Sequence, residues 1–314
     1  MKHHWILRVL LLSVLFLPSA QSIVIRDDQY LQPQFSSGLT GVGLITFGSK
    51  GCTGSLLNTG IHVLTAAHCT AAFSGTAGVT FHNGISNFGY TSTQIVSHPD
   101  FVDINSGRDL AIITLNQTVD TSIQRLSLYS GTDELGQTAT VIGMGRQGTG
   151  STGELTASFL TTNGLLDRRQ GTNVVDRILS PGILSFDFDD PQDPFRSSFG
   201  SSTPTEFEAI VAPGDSGGPV LINGMIAGVN SYVGCFVGFV GSTVCLSPPD
   251  INTTINSSYG EIFGATRVSD FQSWLQSQVG SEAFIPEPSS WALMVGALSA
   301  GLYRLRKIRN GSSN

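Results

Sequence analysis

Three short segments of the chain carry residue types that cooperate in acyl transfer. They are Thr65-Ala66-Ala67-His68-Cys69, Arg108-Asp109-Leu110-Ala111-Ile112-Ile113 and Gly214-Asp215-Ser216-Gly217-Gly218-Pro219. A serine hydroxyl is a poor nucleophile at neutral pH and needs an adjacent base, a task for which an imidazole has a suitable pKa. The imidazole in turn needs a carboxylate on its second nitrogen, to fix the tautomer and stabilise the imidazolium. Glycines around a serine allow a tight turn whose backbone N–H groups face a developing oxyanion. Gly214-Asp215-Ser216-Gly217-Gly218 also fits the G-x-S-x-G elbow of α/β-hydrolases, in which the histidine follows the serine. All six histidines here (3, 4, 62, 68, 82 and 98) precede Ser216. The order His, Asp, Ser therefore excludes that fold.

The elements that must position these groups are short. Apolar residues make up 40% of the chain, which rules out wholesale disorder, while charged residues are only 12% and glycines number 37. Candidate strands are Leu44–Phe47, Ile61–Thr65, Val79–His82, Gln94–Ser97, Leu110–Leu115, Ala139–Gly143, Ala157–Thr161, Pro219–Ile222 and Met225–Asn230. Many short strands between glycine-rich turns predict an all-β barrel or sandwich. One helix is predicted near the end, with Ser269 as N-cap, an apolar face of Phe271, Trp274 and Leu275, and Gly280 at the C-cap. Residues 181–206, rich in Pro, Ser and Asp, read as a long surface insertion. Within it Asp187, Asp189, Asp190 and Asp193 offer carboxylates that suit Ca2+, against the plainer reading of a solvated acidic loop. No other metal and no organic cofactor is expected.

Both ends read as sorting signals. Lys2 and Arg8 precede the apolar run Val9–Leu17, then Pro18 and the small residues Ser19-Ala20-Gln21-Ser22. That pattern predicts a secretory signal peptide over 1–22, cut before Ile23. The far end reads Pro286-Glu287-Pro288, an uncharged stretch Trp291–Leu302, then Arg304, Arg306, Lys307 and Arg309. It resembles the PEP-CTERM sorting tail of exopolysaccharide-producing Gram-negative bacteria. The resemblance implies transient inner-membrane anchoring of 281–314 and an exosortase-like peptidase as partner; a plain C-terminal anchor is the alternative. With the cations of the two ends set aside, ten of the 16 basic side chains remain against all 23 acidic ones. An acidic body of that kind lacks the footprint of a nucleic-acid binder. Four cysteines fit an oxidising compartment, periplasmic, cell-surface or extracellular. They allow three connectivities, and pairing within Cys52/Cys69 and within Cys235/Cys245 is preferred; neither pair has the close spacing of a zinc site.

The ordered set of motifs resembles the trypsin-like (chymotrypsin-family) serine proteases over most of residues 23–280. Further matching segments are Gly51-Cys52-Thr53-Gly54-Ser55-Leu56-Leu57, His98-Pro99-Asp100-Phe101 and Asn230-Ser231-Tyr232, followed by the final helix. The resemblance implies two six-stranded antiparallel β-barrels with a site in the cleft between them. It makes His68 the general base, Asp109 its orienting partner and Ser216 the nucleophile. The backbone N–H groups of Gly214 and Ser216 become the oxyanion hole, and Cys52–Cys69 the bridge beside the histidine. His62, His82 and His98 lie in no position the family uses for catalysis and are expected to be structural.

Two features follow from matching the remaining positions. The leader cut would free Ile23-Val24, so the Ile23 ammonium is expected to pair with Asp215, although Ile25-Arg26 stand where the family has two glycines. The specificity pocket is expected to involve Ile210, Ser231 and Val233. Ile210 stands where an aspartate selects Arg or Lys, Ala212 where a cysteine is usual, and Val233 where a glycine keeps the wall open. Such a pocket predicts a small or medium apolar side chain before the scissile bond, because a desolvated cation would lack a counter-charge. The chain is thus expected to be an exported serine endopeptidase acting on proteins or peptides. The alternative is a catalytically inactive adhesion or matrix protein on the same fold.

Overall fold

The computed structural model describes residues 23–29 and 38–285, apart from 72, 159–160, 163–164, 181, 201–202 and 239–241. The expected leader 1–22 and residues 286–314 lie outside the described residues. Short apolar stretches broken by glycine turns form β1 (Ile23–Ile25), β2 (Val42–Phe47), β3 (Lys50–Leu56), β4 (His62–Thr65), β5 (Gly78–His82), β6 (Asn87–Ser97) and β7 (Ala111–Leu115). Six of these close into a barrel in the order β2-β3-β4-β7-β6-β5. Closure removes the free edges that isolated strands would expose. At its rim the turn Gly48-Ser49 reverses the chain so that Phe47 faces Lys50. Gly48 adopts φ +63°, a conformation that favours glycine.

The second half supplies β8 (Thr138–Gly143), β9 (Arg146–Thr149), β10 (Gly153–Ser158), β11 (Thr161–Thr162), β12 (Leu165–Leu166), β13 (Arg169–Val174), β14 (Arg177–Leu179) and β15 (Ile183–Asp187). It continues with β16 (Ala209–Ile210), β17 (Pro219–Ile222), β18 (Met225–Gly234) and β19 (Ile262–Arg267). Seven of them form one antiparallel sheet, β13-β8-β17-β18-β19-β15-β14. This is an open half-barrel rather than a second closed six-stranded one. A smaller sheet, β10-β9-β1-β16, sits beside it, with β1 parallel to β9 and antiparallel to β16.

Each half has its own apolar interior, one around Ile45, Leu56, Val63, Val79 and Phe81, the other around Phe186, Phe188, Val141 and Phe263. A third cluster, with Leu64 and Ile112 from the barrel and Ile142, Leu221 and Val229 from the sheet, is the seam. Leu64 is fully buried there, so Leu64→Ala would cost about 2–5 kcal/mol and loosen the two halves together.

Three expectations are corrected. The segment 181–206 is not all surface: β15 is buried along its length, and Phe186 stacks on Phe263 at 4.4 Å while Phe188 packs on Tyr259. The aromatic residues outweigh the polar composition around them. Ser269 does not cap the last helix: its hydroxyl donates to Glu134 from within a 3-10 turn, and the α-helix α2 spans Gln272–Val279. Gly280 does close it, at φ +81°, with its N–H donating to the Gln276 carbonyl. Finally, the folded body passes Gly280. Ala283 is buried and its carbonyl accepts the Leu128 N–H at 2.7 Å, so packing extends to Ile285. Among the described residues no helix is long and apolar enough to cross a membrane.

Candidate active site

His68 lies on a one-turn helix, α1 (Ala67–Thr70), directly after β4, and Asp109 stands two residues before β7. Strands β4 and β7 pair with each other, which brings the two side chains together across 41 positions of sequence. Asp109 is wholly buried, and its carboxylate is filled by three donors. Oδ1 accepts the His68 backbone N–H at 2.8 Å, while Oδ2 accepts Nδ1 of the same residue at 2.6 Å and the Ser231 hydroxyl at 2.5 Å. An ionised carboxylate only accepts, so the proton of a neutral His68 ring is on Nδ1 and the lone pair on Nε2. Ser231 comes from β18 of the sheet, and its bond ties that half of the molecule to the carboxylate of the barrel.

Ser216 occupies the turn between β16 and β17, inserted against the barrel. The Ser216 carbonyl accepts the Thr53 N–H at 2.8 Å, and the Gly214 carbonyl accepts the Thr53 hydroxyl at 2.9 Å. The approach requires glycine at 217: its φ is +83°, and a Cβ there would lie 2.1 Å from the Thr65 hydroxyl. Among the described residues the Gly214 and Ser216 N–H groups donate to no acceptor, and the Ser216 hydroxyl makes no hydrogen bond. His68 and Ser216 line one open cleft of about 660 Å3, together with Lys50, the Cys52–Cys69 bridge, Phe73, Arg146 and Gly214.

Asp215, fully buried, turns away from this cleft. Its two oxygens accept the N–H groups of Gly145 at 2.7 Å and Ala212 at 2.8 Å, and burial pushes its pKa up to about 7. A Cβ on Gly143 would stand 1.9 Å from one of those oxygens, so the Asp215 niche depends on that glycine. Ile23 is buried in the neighbouring small sheet, opposite Gln147 of β9. No hydrogen bond or ion pair joins Ile23 to Asp215 among the described contacts.

A second cavity, about 290 Å3, opens on the other side of Ser216. Val211, Ala212, Val233 and Ile255 form its apolar part, and Ser231, Asn256 and Ser257 its polar part. Ser231 and Val233 line this cavity. Ile210 does not: it sits one residue behind the wall, buried in β16 opposite Val24, and Val211 lines it instead. Sequence reasoning also misses Glu154, which reaches this cavity from β10 and takes a hydrogen bond from Arg146 Nη1 at 2.7 Å. No motif marks that pair, since nothing local says which hairpin folds over the serine. The wall residues Asn256 and Ser257, and Ser258 after them, donate their N–H groups to the buried Glu261 carboxylate, which fixes the course of that loop.

The other predicted groups fall into place away from the cleft. His62 bonds the Thr59 hydroxyl, His98 packs on Phe271 and Trp274, and His82 is buried in the barrel with its pKa lowered to about 4 by desolvation. Cys235–Cys245 forms as preferred. Three aspartates of the acidic segment take local hydrogen bonds. Asp187 accepts from Ser197 and Phe199, Asp190 from the Gln192 N–H, and Asp193 from the Phe195 N–H. Among the described residues, two sets of His, Cys, Asp and Glu ligand atoms converge within 4.8 Å, and each contains disulfide sulfurs and none of these aspartates.

Comparison with known proteins bears on the family and the fold. The sequence profile of the Trypsin family matches residues 36–244. The chain is 29% identical over 240 residues to a chymotrypsin of Phaedon cochleariae, covering 72% of this chain and 71% of that protein. It is 24% identical over 276 residues to a trypsin of Xenopus laevis, covering 83% and 95%. In fold it is similar to mouse neuropsin, a serine protease expressed in the limbic system of the brain. The TM-score is 0.52 at 16% identity, over 77% of this chain and 95% of that structure. The chain belongs to the trypsin family of serine proteases.

Proposed function

We propose that this protein is an exported serine endopeptidase whose acyl-enzyme forms on Ser216. The observation that carries the proposal is the filled Asp109 carboxylate, which leaves the Nε2 lone pair of His68 in the cleft that Ser216 also lines. His68 takes the Ser216 proton as the hydroxyl oxygen attacks the peptide carbonyl, and the oxyanion is met by the Gly214 and Ser216 N–H groups. The resulting imidazolium, stabilised by Asp109, protonates the leaving amine. Water then repeats the sequence on the ester and restores the hydroxyl. A fluorophosphonate probe should label the wild-type protein and not Ser216→Ala. Equal labelling, or none on a folded wild type, would leave only the non-catalytic reading.

The small cavity beside Ser216 receives the side chain before the scissile bond. Its apolar wall supports a small or medium apolar preference, because the one carboxylate that faces it, Glu154, is already engaged by Arg146. Alanine or valine nitroanilides turning over more slowly than arginine ones would overturn this preference.

Activation by the leader cut has support of a different kind. Ile23 holds φ +66°, an unfavourable conformation for a β-branched residue that costs on the order of 1–3 kcal/mol. A free amino terminus has no φ to strain. Scission before Ile23 would release that cost and supply an ammonium on the strand beside β9, whose preceding residue Gly145 donates to the buried Asp215 carboxylate. Amino-terminal sequencing of active protein should read Ile-Val-Ile-Arg. Export from a Gram-negative cell, with an exosortase-like peptidase acting near Pro286-Glu287-Pro288, belongs to the same proposal. Replacement of those three residues should change the carboxyl terminus of the exported protein, as read by mass spectrometry.

A further inference from the structure

Two cavities flank Ser216, and one group separates their roles. The base that accepts the serine proton must next donate it to the leaving amine, so the leaving half of the substrate lies in the cavity His68 lines. That is the wide cleft of about 660 Å3, whereas the cavity behind Ser216 contains no atom of His68. The cationic side chains lining this cleft are Lys50 and Arg146, beside His68; among the described residues no carboxylate lines it. The body around it is acidic, with 23 Asp and Glu in the whole chain against 16 Lys and Arg.

Both fixed cations are held on regular structure. Lys50 opens β3 directly after the Gly48-Ser49 turn, with its side chain exposed and in no ion pair among the described residues. Arg146 opens β9, and its Nη1 is fixed by Glu154 at 2.7 Å. Arg146 lines the cleft, while its partner Glu154 lines the small cavity beyond and not the cleft. The cleft is thus lined by an arginine whose carboxylate partner lies outside it and by Lys50, which has no ion pair among the described residues.

We infer that the leaving-group side of this site selects acidic residues, with an Asp or Glu in the first two positions after the scissile bond meeting Lys50 and Arg146. The inference rests on the proteolytic reading above and extends it to the substrate's far side. Charge pairs at a solvent-accessible rim act mainly on encounter and weaken with salt.

The test uses three fluorogenic peptides identical before the scissile bond, with Asp-Asp, Ala-Ala or Lys-Lys after it. At low ionic strength kcat/KM should fall in that order, each step about fivefold, as expected for exposed charge pairs. The spread should contract at 0.5 M NaCl (about a 4 Å screening length), and Lys50→Glu should reverse the order of the outer two. Equal rates, or Lys-Lys the fastest with the wild type, would overturn the inference while leaving proteolysis intact. If no peptide is cut, fluorescence anisotropy of the same peptides on Ser216→Ala protein reads the cleft without chemistry. Tighter binding of the Asp-Asp peptide than of the Lys-Lys peptide then supports the inference, and no charge order refutes it.

Discussion

The closed barrel and the seven-stranded sheet treat buried charge in opposite ways. In the barrel, Asp109 is surrounded by donors from three groups, and the most perturbed group is His82, neutral and desolvated. The sheet half buries a series of carboxylates instead. Asp176 and Glu208 are raised to about 8, and Asp189, Asp215 and Glu261 to about 7, each chiefly by desolvation. Their hydrogen bonds come largely from backbone N–H groups of loops, as at Ala212, Gly145, Thr205 and Asn256–Ser258. The barrel is a frame closed by its own strands. The sheet half is open, and acids hold the loops around Ser216 and the cavity beside it.

The largest effect that would test this division acts on the barrel's contribution to catalysis. Asp109→Asn should keep the fold and lower kcat by about 10^4-fold, because the amide favours the wrong imidazole tautomer. Peptidase assays on folded protein check it, and a loss under tenfold would mean that the carboxylate does not orient His68.

The second effect is on stability. A carboxyl whose folded pKa is raised binds its proton more tightly in the folded state. Its stabilising contribution is therefore full below about pH 4 and is lost as pH rises toward 7–8. His82 has the opposite sign: lowered from 6.5 to about 4, its contribution is present above 6.5 and lost as pH falls toward 4. Protein retaining residues before Ile23 should melt on the order of 5 °C lower at pH 8 than at pH 6. Hydrogen exchange should place the loosening at pH 8 in the sheet half, and that at pH 4.5 in the barrel around β5. Uniform loosening of both halves at pH 8 would break the contrast. A free Ile23 ammonium beside Asp215 should diminish the loss at pH 8.

The smallest effect concerns the bond across the seam. Ser231→Ala removes one donor to Asp109 and should lower kcat/KM by about tenfold, with the melting temperature within a few degrees of wild type. Ser231→Thr, which retains a hydroxyl, should recover part of the rate. An unchanged rate in the alanine variant would show that the sheet does not help to position the barrel's carboxylate.

Much of this was readable in the chain before any coordinates. His68, Asp109 and Ser216 stand in motifs whose order already excludes the α/β-hydrolase arrangement, and the strands around Val79, Ile112 and Leu221 follow from short apolar runs between turns. Harder to read was β15, because Asp and Pro around Phe186 and Phe188 give a loop-like composition although the aromatics are fully buried. Arg146 and Glu154 were silent for another reason. An isolated pair on a glycine-rich hairpin has no periodicity or spacing to betray that it lies between two cavities.

The sequence by itself determined which groups can do chemistry, that four cysteines are available to pair, and that strands must dominate, since these depend on residue type and short-range pattern. Tertiary structure alone decided that the second sheet stays open, that Val211 rather than Ile210 lines the cavity beside Ser216, and that Lys50 and Arg146 line the cleft shared by His68 and Ser216. Those outcomes depend on which distant segments come to rest against one another. The direction of a side chain at a seam is fixed by its partners, and those lie tens to hundreds of residues away.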